Sequence, residues 1–472
     1  MSTGDTKNPD GPDSPDDPSG PERRAARRTG QFLQMDFLAP DPALDQLTLL
    51  ERMRTWCNVV LDRRGTIASL VAASRVVDTW GEMEHADRVA FYAMLDRHFC
   101  VDQVEVEEAI SAFMVGQYPR AQELARLSMA LDSPRLQLMR QFNGIPPGIK
   151  FLVDLRADVD ARLKQQPELW LMEFELSHLL RSWFNMGFLR LERITWESPA
   201  ALLEKLVEYE AVHAIASWSD LKRRLQADRA CYAFLHQSMP AEPVIFVEVA
   251  LVRGLAASIH ELIDPQSVAL EPQRADTAIF YSITNAQRGL RGIPFGNLLI
   301  KQVTARLRAE MPNLDTFATL SPIPRLREEY IDPAVADGSI ARHFDEEEGA
   351  WLCRLAQADD VAGAVGRALQ REWHEERELA EALRPGMLRA ARAYLTEVQH
   401  RGRVACPVGH FHASNGAKLG RINWLGNCSR QGLSQSAGMM VNYLYEPHLF
   451  EEYQAEYGRS GRLPVDELVL LL

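Results

Sequence analysis

The feature that most constrains this chain is a change of apolar rhythm near residue 191. Before it, apolar residues recur every three or four positions, as in Leu47, Leu50, Met53 and Trp56 with Leu49 beside them. A second such run carries Phe151, Leu152, Leu155, Val159 and Leu163 between charged residues. That spacing lays apolar side chains along one side of an α-helix. The turn Asn143-Gly144-Ile145-Pro146-Pro147-Gly148 interrupts the pattern and starts a new helix. Beyond residue 191 come short stretches dense in β-branched and aromatic residues, at 244–250, 277–283 and 316–320. Those are the residues of strands. Residues 298–310 read as a helix between the second and third, 345–400 as a charged helical stretch with room for more than one helix, and 408–445 as a strand-like end.

Strands interleaved with helices make a mixed α/β domain. The expected fold is therefore α+β in two domains. An all-helical bundle occupies 34–190, the part suited to holding copies of the chain together, and a mixed α/β domain occupies 191–472. Residues 1–33, rich in Pro, Asp, Ser and Gly and then in Arg, offer little to offset the entropy of ordering and read as a disordered tail.

A length of 472 residues, 46% of them hydrophobic, supplies enough material for two cores. The formal charge of -13 argues against a nucleic-acid binder, which needs a basic surface. It leaves room for a polyanionic small ligand, because a local cluster of donors can oppose the global charge. The six cysteines form no CxxC pair and stand at no finger-like spacing from histidines, so neither a disulfide framework nor a structural zinc site is expected. No apolar run approaches the ~20 residues of a membrane span. Nor does an apolar core follow Met1-Ser2-Thr3-Gly4-Asp5, as a secretory signal requires. A cytoplasmic protein away from membranes is the expectation. The closing Leu468, Val469, Leu470, Leu471 and Leu472 are expected to pack against a neighbour, and they lack the small-basic-Leu ending that addresses a peroxisome.

Three segments carry candidate chemistry. The first is Gln287-Arg288-Gly289-Leu290-Arg291-Gly292-Ile293-Pro294-Phe295-Gly296-Asn297, between a predicted strand and a predicted helix. Glycines allow close approach of main-chain amides, and a helix N-terminus favours a pyrophosphate. Arg288 and Arg291 add charge-assisted donors. An ordinary glycine-rich turn has the same composition. The loop has no Gly-Lys-Ser or Gly-Lys-Thr ending and no dinucleotide fingerprint. It resembles instead the loop with which the Gcn5-related N-acetyltransferase fold binds CoA.

The second is Thr319-Leu320-Ser321-Pro322-Ile323-Pro324, where Pro322 limits Ser321 to extended geometry at the end of a strand. A Ser-Pro turn that merely caps the strand is the bland alternative. The third is His410-Phe411-His412-Ala413-Ser414-Asn415-Gly416-Ala417, followed by Arg421-Ile422-Asn423-Trp424. If extended, it puts His410 and His412 on one face. No third ligand stands at a fixed offset, so a metal site is not expected.

Taken together these segments resemble the malonyl-CoA decarboxylase family, in order and with similar gaps. The resemblance rests on Phe280-Tyr281-Ser282-Ile283-Thr284-Asn285, on Leu290 through Gly296, on Leu320-Ser321-Pro322-Ile323-Pro324, and on Phe411-His412 with Asn415-Gly416-Ala417 and Arg421-Ile422-Asn423-Trp424. Tyr209-Glu210-Ala211-Val212-His213 with Trp218, Lys222, Arg223 and Arg224 is also similar, as is Gly438-Met439-Met440 through Asn442-Tyr443 and Tyr445. The resemblance implies a helical oligomerisation domain, a catalytic domain like the N-acetyltransferase fold, and conversion of malonyl-CoA to acetyl-CoA and CO2. It assigns the catalytic serine to Ser321, the catalytic histidine to His412 and a tyrosine of their network to Tyr445. The CoA-phosphate loop falls on Arg291, Gly292, Ile293, Pro294, Phe295, Gly296 and Asn297. Some members carry a glutamate of the network where this chain has Pro294, which offers neither a carboxylate nor an N–H.

A malonyl thioester carries its own electron sink, so the resemblance implies no organic or metal cofactor, CoA being part of substrate and product. The expected partners are malonyl-CoA, acetyl-CoA and further copies of the chain, with no nucleic acid and no membrane. Ser321 is absent from any Gly-x-Ser-x-Gly elbow, which disfavours a lipase-like hydrolase. Two rivals stay open from residues alone: an acyl-CoA N-acyltransferase and a CoA-sensing scaffold.

Overall fold

The computed structural model of the chain describes residues 47–116, 120–293 and 296–471, so the segment 1–33 lies outside the described residues. Two compact units divide between Phe151 and Leu152.

The first unit is helical. Its helices include Leu49–Asp62, Ile67–Glu82, His85–His98, Gln103–Val115, Ala121–Ala130 and Pro134–Gln141. Several starts are written locally: Thr48 and Glu51 form a reciprocal capping box, and the side chains of Thr66, Asp102 and Ser133 each accept a backbone N–H of the following helix. Met53, Cys57 and Val60 make the buried line of the first helix, while Trp56 sits at its margin. Trp80 Nε1 donates to the Tyr92 hydroxyl at 3.2 Å, joining the second and third helices inside the core. Phe151 closes on Trp80 and Phe142, with ring centroids 5.3 and 4.9 Å away. The Asn143 to Gly148 turn appears as expected, with a 3-10 turn at Phe142–Gly144 and a helix at Gly148–Arg162.

The second unit adds the helix Trp170–Trp183 and then a sheet. The helical reading to residue 190 overruns. Asn185 Oδ1 accepts the Gly187 N–H and turns the chain, after which β1, Leu189–Ile194, pairs along β2. β2, Arg229–His236, was not read as a strand from sequence. All eight of its residues are buried, so it lacks the polar alternation that marks a one-sided strand. The other expected strands are present as β3, Met239–Val252; β4, Thr277–Asn285; and β5, Thr316–Thr319. β6 is Ser321–Pro322, a small hairpin holds β7, Gln399–His400, and β8, Arg403–Val404, and β9 is Lys418–Asn423 with β10 at Met440–Leu444.

Among the described residues the main sheet has eight strands in the order β1-β2-β3-β4-β5-β10-β6, with β9 also on β10. Only β4 and β5 run parallel, and the helix Gly296–Glu310 connects them. The other pairings are antiparallel, so the sheet is mixed. Alternation along β3 puts Glu248 and Val249 on opposite faces. Glu248 lies level with Cys231 and Ser282, whereas Val249 lies level with Phe280, which in turn pairs with Thr319. The Glu248 face takes the helices Ala200–Tyr209 and Trp218–Arg224, whose Leu203, Leu206 and Leu221 join Cys231, Ala233 and Phe246 in one core.

The charged stretch 345–400 holds three helices, Glu346–Ala356, Val361–Ala368 and Arg377–Thr396. The extended reading of 408–414 is wrong. Pro407–Ser414 is a helix, with Pro407 in its first turn and Cys406 Sγ accepting the Gly409 N–H. At about 100° per residue, His410 and His412 point to opposite sides of it. Of the closing leucine-rich residues only Val469 is buried. Leu468, Leu470 and Leu471 are exposed, and Leu472 lies outside the described residues.

Candidate active site

Ser321 stands where β5 gives way to β6, held by antiparallel pairing with Val441 of β10. Thr319, two residues earlier, shares its side of the strand. The Ser321 hydroxyl donates to Thr319 Oγ1 at 2.9 Å, and Thr319 Oγ1 also accepts the Tyr443 N–H at 3.1 Å. Ser321 is buried, at 6% exposed.

His412 comes from the Pro407–Ser414 helix and brings Nε2 to 3.1 Å from Ser321 Oγ. Its Nδ1 is 2.8 Å from the Tyr445 hydroxyl. The ring stacks on Tyr443, with centroids 4.5 Å apart and planes 26° from parallel, so its rotation is restricted from a third side. Tyr445 is itself wedged edge-on against Phe280 and Phe450, and its N–H donates to the Phe317 carbonyl at 2.8 Å.

Burial decides the charge state. Loss of water is what lowers the His412 pKa to about 3, and burial likewise lifts the Tyr445 hydroxyl above its usual range. At neutral pH both are uncharged. With Ser321 donating to Thr319, a self-consistent chain runs from Tyr445 O–H to Nδ1, from Nε2–H to Ser321 Oγ, and from Ser321 to Thr319. Such a chain offers a hydroxyl donor in an apolar surround, with an imidazole behind it.

The glycine loop lies at the same end of the sheet. Because β4 and β5 are parallel and Phe280 is level with Thr319, the chain leaving Asn285 departs past the same C-terminal strand ends as Ser321. Residues 290–293 form a turn closed by the Ile293 N–H on the Leu290 carbonyl at 3.1 Å, with Gly292 at φ +78°. Arg291 and Gly292 are exposed and Ile293 is buried. Gly296 and Asn297 open the following helix. Pro294 and Phe295 lie outside the described residues.

The structure thus brings Ser321, His412 and Tyr445 into one hydrogen-bonded cluster. His410 is not part of it: its Nδ1 is 2.6 Å from the Tyr457 hydroxyl. Thr319 and Tyr443 were not singled out for the site from sequence. Period-two spacing before Ser321 and before Tyr445 was the available signal for both. The block from Tyr209 to Arg224 builds a different cluster, on the opposite face of the sheet from Thr319. There Arg224 holds Asp220 and Glu248 at 2.9 and 3.0 Å, and Glu210 accepts from Ser282 and Thr284. Burial and the neighbouring Glu210 raise Glu248 to about 8 even beside that guanidinium, and burial lowers His213 to about 4. Among the described residues no helix is long and apolar enough to cross a membrane.

Comparison with known proteins also gives two parts, but they meet between residues 184 and 187 and not at the Phe151–Leu152 boundary of the compact units. Residues 187–469 match the malonyl-CoA decarboxylase C-terminal domain, and residues 99–184 match the malonyl-CoA decarboxylase N-terminal domain. A goose protein (Anser anser anser) named mitochondrial malonyl-CoA decarboxylase is 36% identical over 399 residues, covering 81% of this chain and 79% of that one. The rat protein (Rattus norvegicus) of the same name is 35% identical over 408 residues, 83% of each chain. Crystal structures of malonyl-CoA decarboxylase from Rhodopseudomonas palustris and Agrobacterium vitis both superpose with a TM-score of 0.79. They share 36% and 34% identity and cover 90% and 89% of this chain, and 100% and 98% of their own.

Proposed function

This chain belongs to the malonyl-CoA decarboxylase family of carboxy-lyases, and from that premise we propose how it removes CO2 from malonyl-CoA. Loss of CO2 leaves a carbanion that spreads into the thioester carbonyl as an enolate. A catalyst for that step has to orient the departing carboxylate out of the carbonyl plane and aim donors at the growing enolate oxygen. Ser321 is the donor: its proton leaves Thr319 for a substrate oxygen, and the imidazole behind it keeps the hydroxyl aligned. No acyl-enzyme is formed.

The overall reaction consumes one proton. In the free site the imidazole is neutral, so that proton is taken up once CO2 has left and the enolate charge in the site favours a cationic ring. His412 then supplies it toward the enolate carbon, and Tyr445 holds the imidazole through Nδ1. The observation that carries this reading is the buried Ser321–His412–Tyr445 hydrogen-bond chain.

We further read the strand–loop–helix after β4 as the CoA diphosphate site of an N-acetyltransferase-like domain, which the parallel β4–β5 pair supports. The helical unit is proposed to mediate self-association. Val104, Met114, Val115 and Met129 lie more than half exposed on two of its helices, which supports that reading. The experiment is incubation with malonyl-CoA and no amine. Stoichiometric CO2 and acetyl-CoA are expected, whereas turnover that requires an amine acceptor would make the protein an acyltransferase instead.

A further inference from the structure

The loop after β4 is braced from beneath by a buried guanidinium. Arg156, on the Gly148–Arg162 helix, is 7% exposed. Its Nη1 donates to the Gly289 carbonyl at 2.6 Å and to the Arg291 carbonyl at 3.0 Å. Nε and Nη2 donate to Glu173 Oε1 at 3.0 and 2.8 Å, so a carboxylate on the Trp170–Trp183 helix neutralises the charge. The same segment approaches Arg156's helix too closely for any side chain at 289. A Cβ there would lie 1.8 Å from the Val153 carbonyl oxygen.

The turn at 290–293 is of type II. Arg291 has φ -55° and ψ 133°, Gly292 has φ +78°, and the Ile293 N–H bonds the Leu290 carbonyl. Type I and type II turns differ by a half-rotation of their central peptide, here the one joining Arg291 to Gly292. In a trans peptide the C=O and the following N–H point opposite ways. Donation to the Arg291 carbonyl therefore draws that oxygen inward and sends the Gly292 N–H outward, on the exposed side of the loop.

We propose that Arg156 is a positioning residue for substrate binding, which fixes the 291–292 peptide so that the Gly292 N–H faces the CoA diphosphate. This rests on the reading of the loop as the diphosphate site. Arg156 itself touches no substrate.

The test is steady-state kinetics of the full-length protein with two substrates, malonyl-CoA and malonyl-pantetheine, the second lacking the diphosphate. Arg156→Met is expected to raise KM for malonyl-CoA by about tenfold, with kcat and the malonyl-pantetheine KM unchanged. Arg156→Lys keeps a charge opposite Glu173 but loses the planar fork, and gives a smaller rise of the same selectivity. It serves alone if the Met variant does not fold. An unchanged malonyl-CoA KM in the variants, or equal loss on both substrates, overturns the proposal. Arg291→Glu at the exposed tip separates the two readings. A selective rise there with none from Arg156 variants leaves the loop and removes the brace, and no selective rise from Arg291→Glu removes both.

Discussion

Ser321 Oγ and His412 Nε2 lie 3.1 Å apart although 91 positions separate the two residues in sequence. The contact requires β10 to pair with β6, and the helix Pro407–Ser414 to end over that pair. The site is therefore a product of the whole second unit and cannot form from either local segment alone.

Removing the hydroxyl tests the donor directly. Ser321→Ala is expected to lower kcat by about a hundredfold or more, in the range for loss of a donor to a developing oxyanion. The measurement is acetyl-CoA formation, with acetyl-CoA affinity followed by calorimetry as a check on folding. Unchanged turnover removes Ser321 from the mechanism.

His412→Asn should likewise depress kcat by about a hundredfold and KM with it, since the ring supplies its proton after the irreversible loss of CO2. Tyr445→Phe keeps the ring packing against Phe280 and Phe450 but leaves Nδ1 without its partner. Its expected loss is smaller, about tenfold in kcat. If Tyr445→Phe cost more than His412→Asn, the tyrosine and not the histidine would be the principal proton donor.

The pH dependence has a definite sign. With a folded pKa of about 3, His412 stays neutral in the free enzyme across the whole neutral range. CO2 departure is the first irreversible step, so kcat/KM precedes the protonation and is flat from about pH 5.5 to about pH 8. An acid limb near the ordinary histidine value of ~6.5, lost in His412→Asn, would contradict a buried neutral imidazole.

Glu248 supplies a stability test on the other face of the sheet. Its folded pKa of about 8 stands above the unfolded value, so the native state holds the proton longer. That contribution is full below the unfolded pKa of ~4.3 and is lost as pH rises through the folded one. Denaturant unfolding of the parent and of Glu248→Gln across this window should show a decline in the parent relative to the variant. Parallel curves would mean that Arg224 keeps the carboxylate ionised.

Much of this was legible in sequence for a physical reason. The strands β3, β4 and β5 are dense in branched and aromatic residues, and Ser321-Pro322 pins the serine's backbone, so local pattern sufficed. β2 was missed because burial on both faces erases alternation, and the helix at Pro407–Ser414 was missed because two histidines with an intervening phenylalanine mimic a strand. Proline at its first turn and the sulfur cap of Cys406 were the helix signals present. The partnership of Thr319, Tyr443 and Arg156 with the site depends on tertiary approach, which no local spacing encodes.

The central claim is that one bound thioester spans the glycine loop and the serine. Its most direct measurement is a crystal structure with acetyl-CoA. The expected result is the acyl oxygen within about 3.2 Å of Ser321 Oγ, with the diphosphate against the turn at 290–293 and the start of the helix Gly296–Glu310. An acyl group on the Glu248 face, or a diphosphate away from that turn, would contradict it.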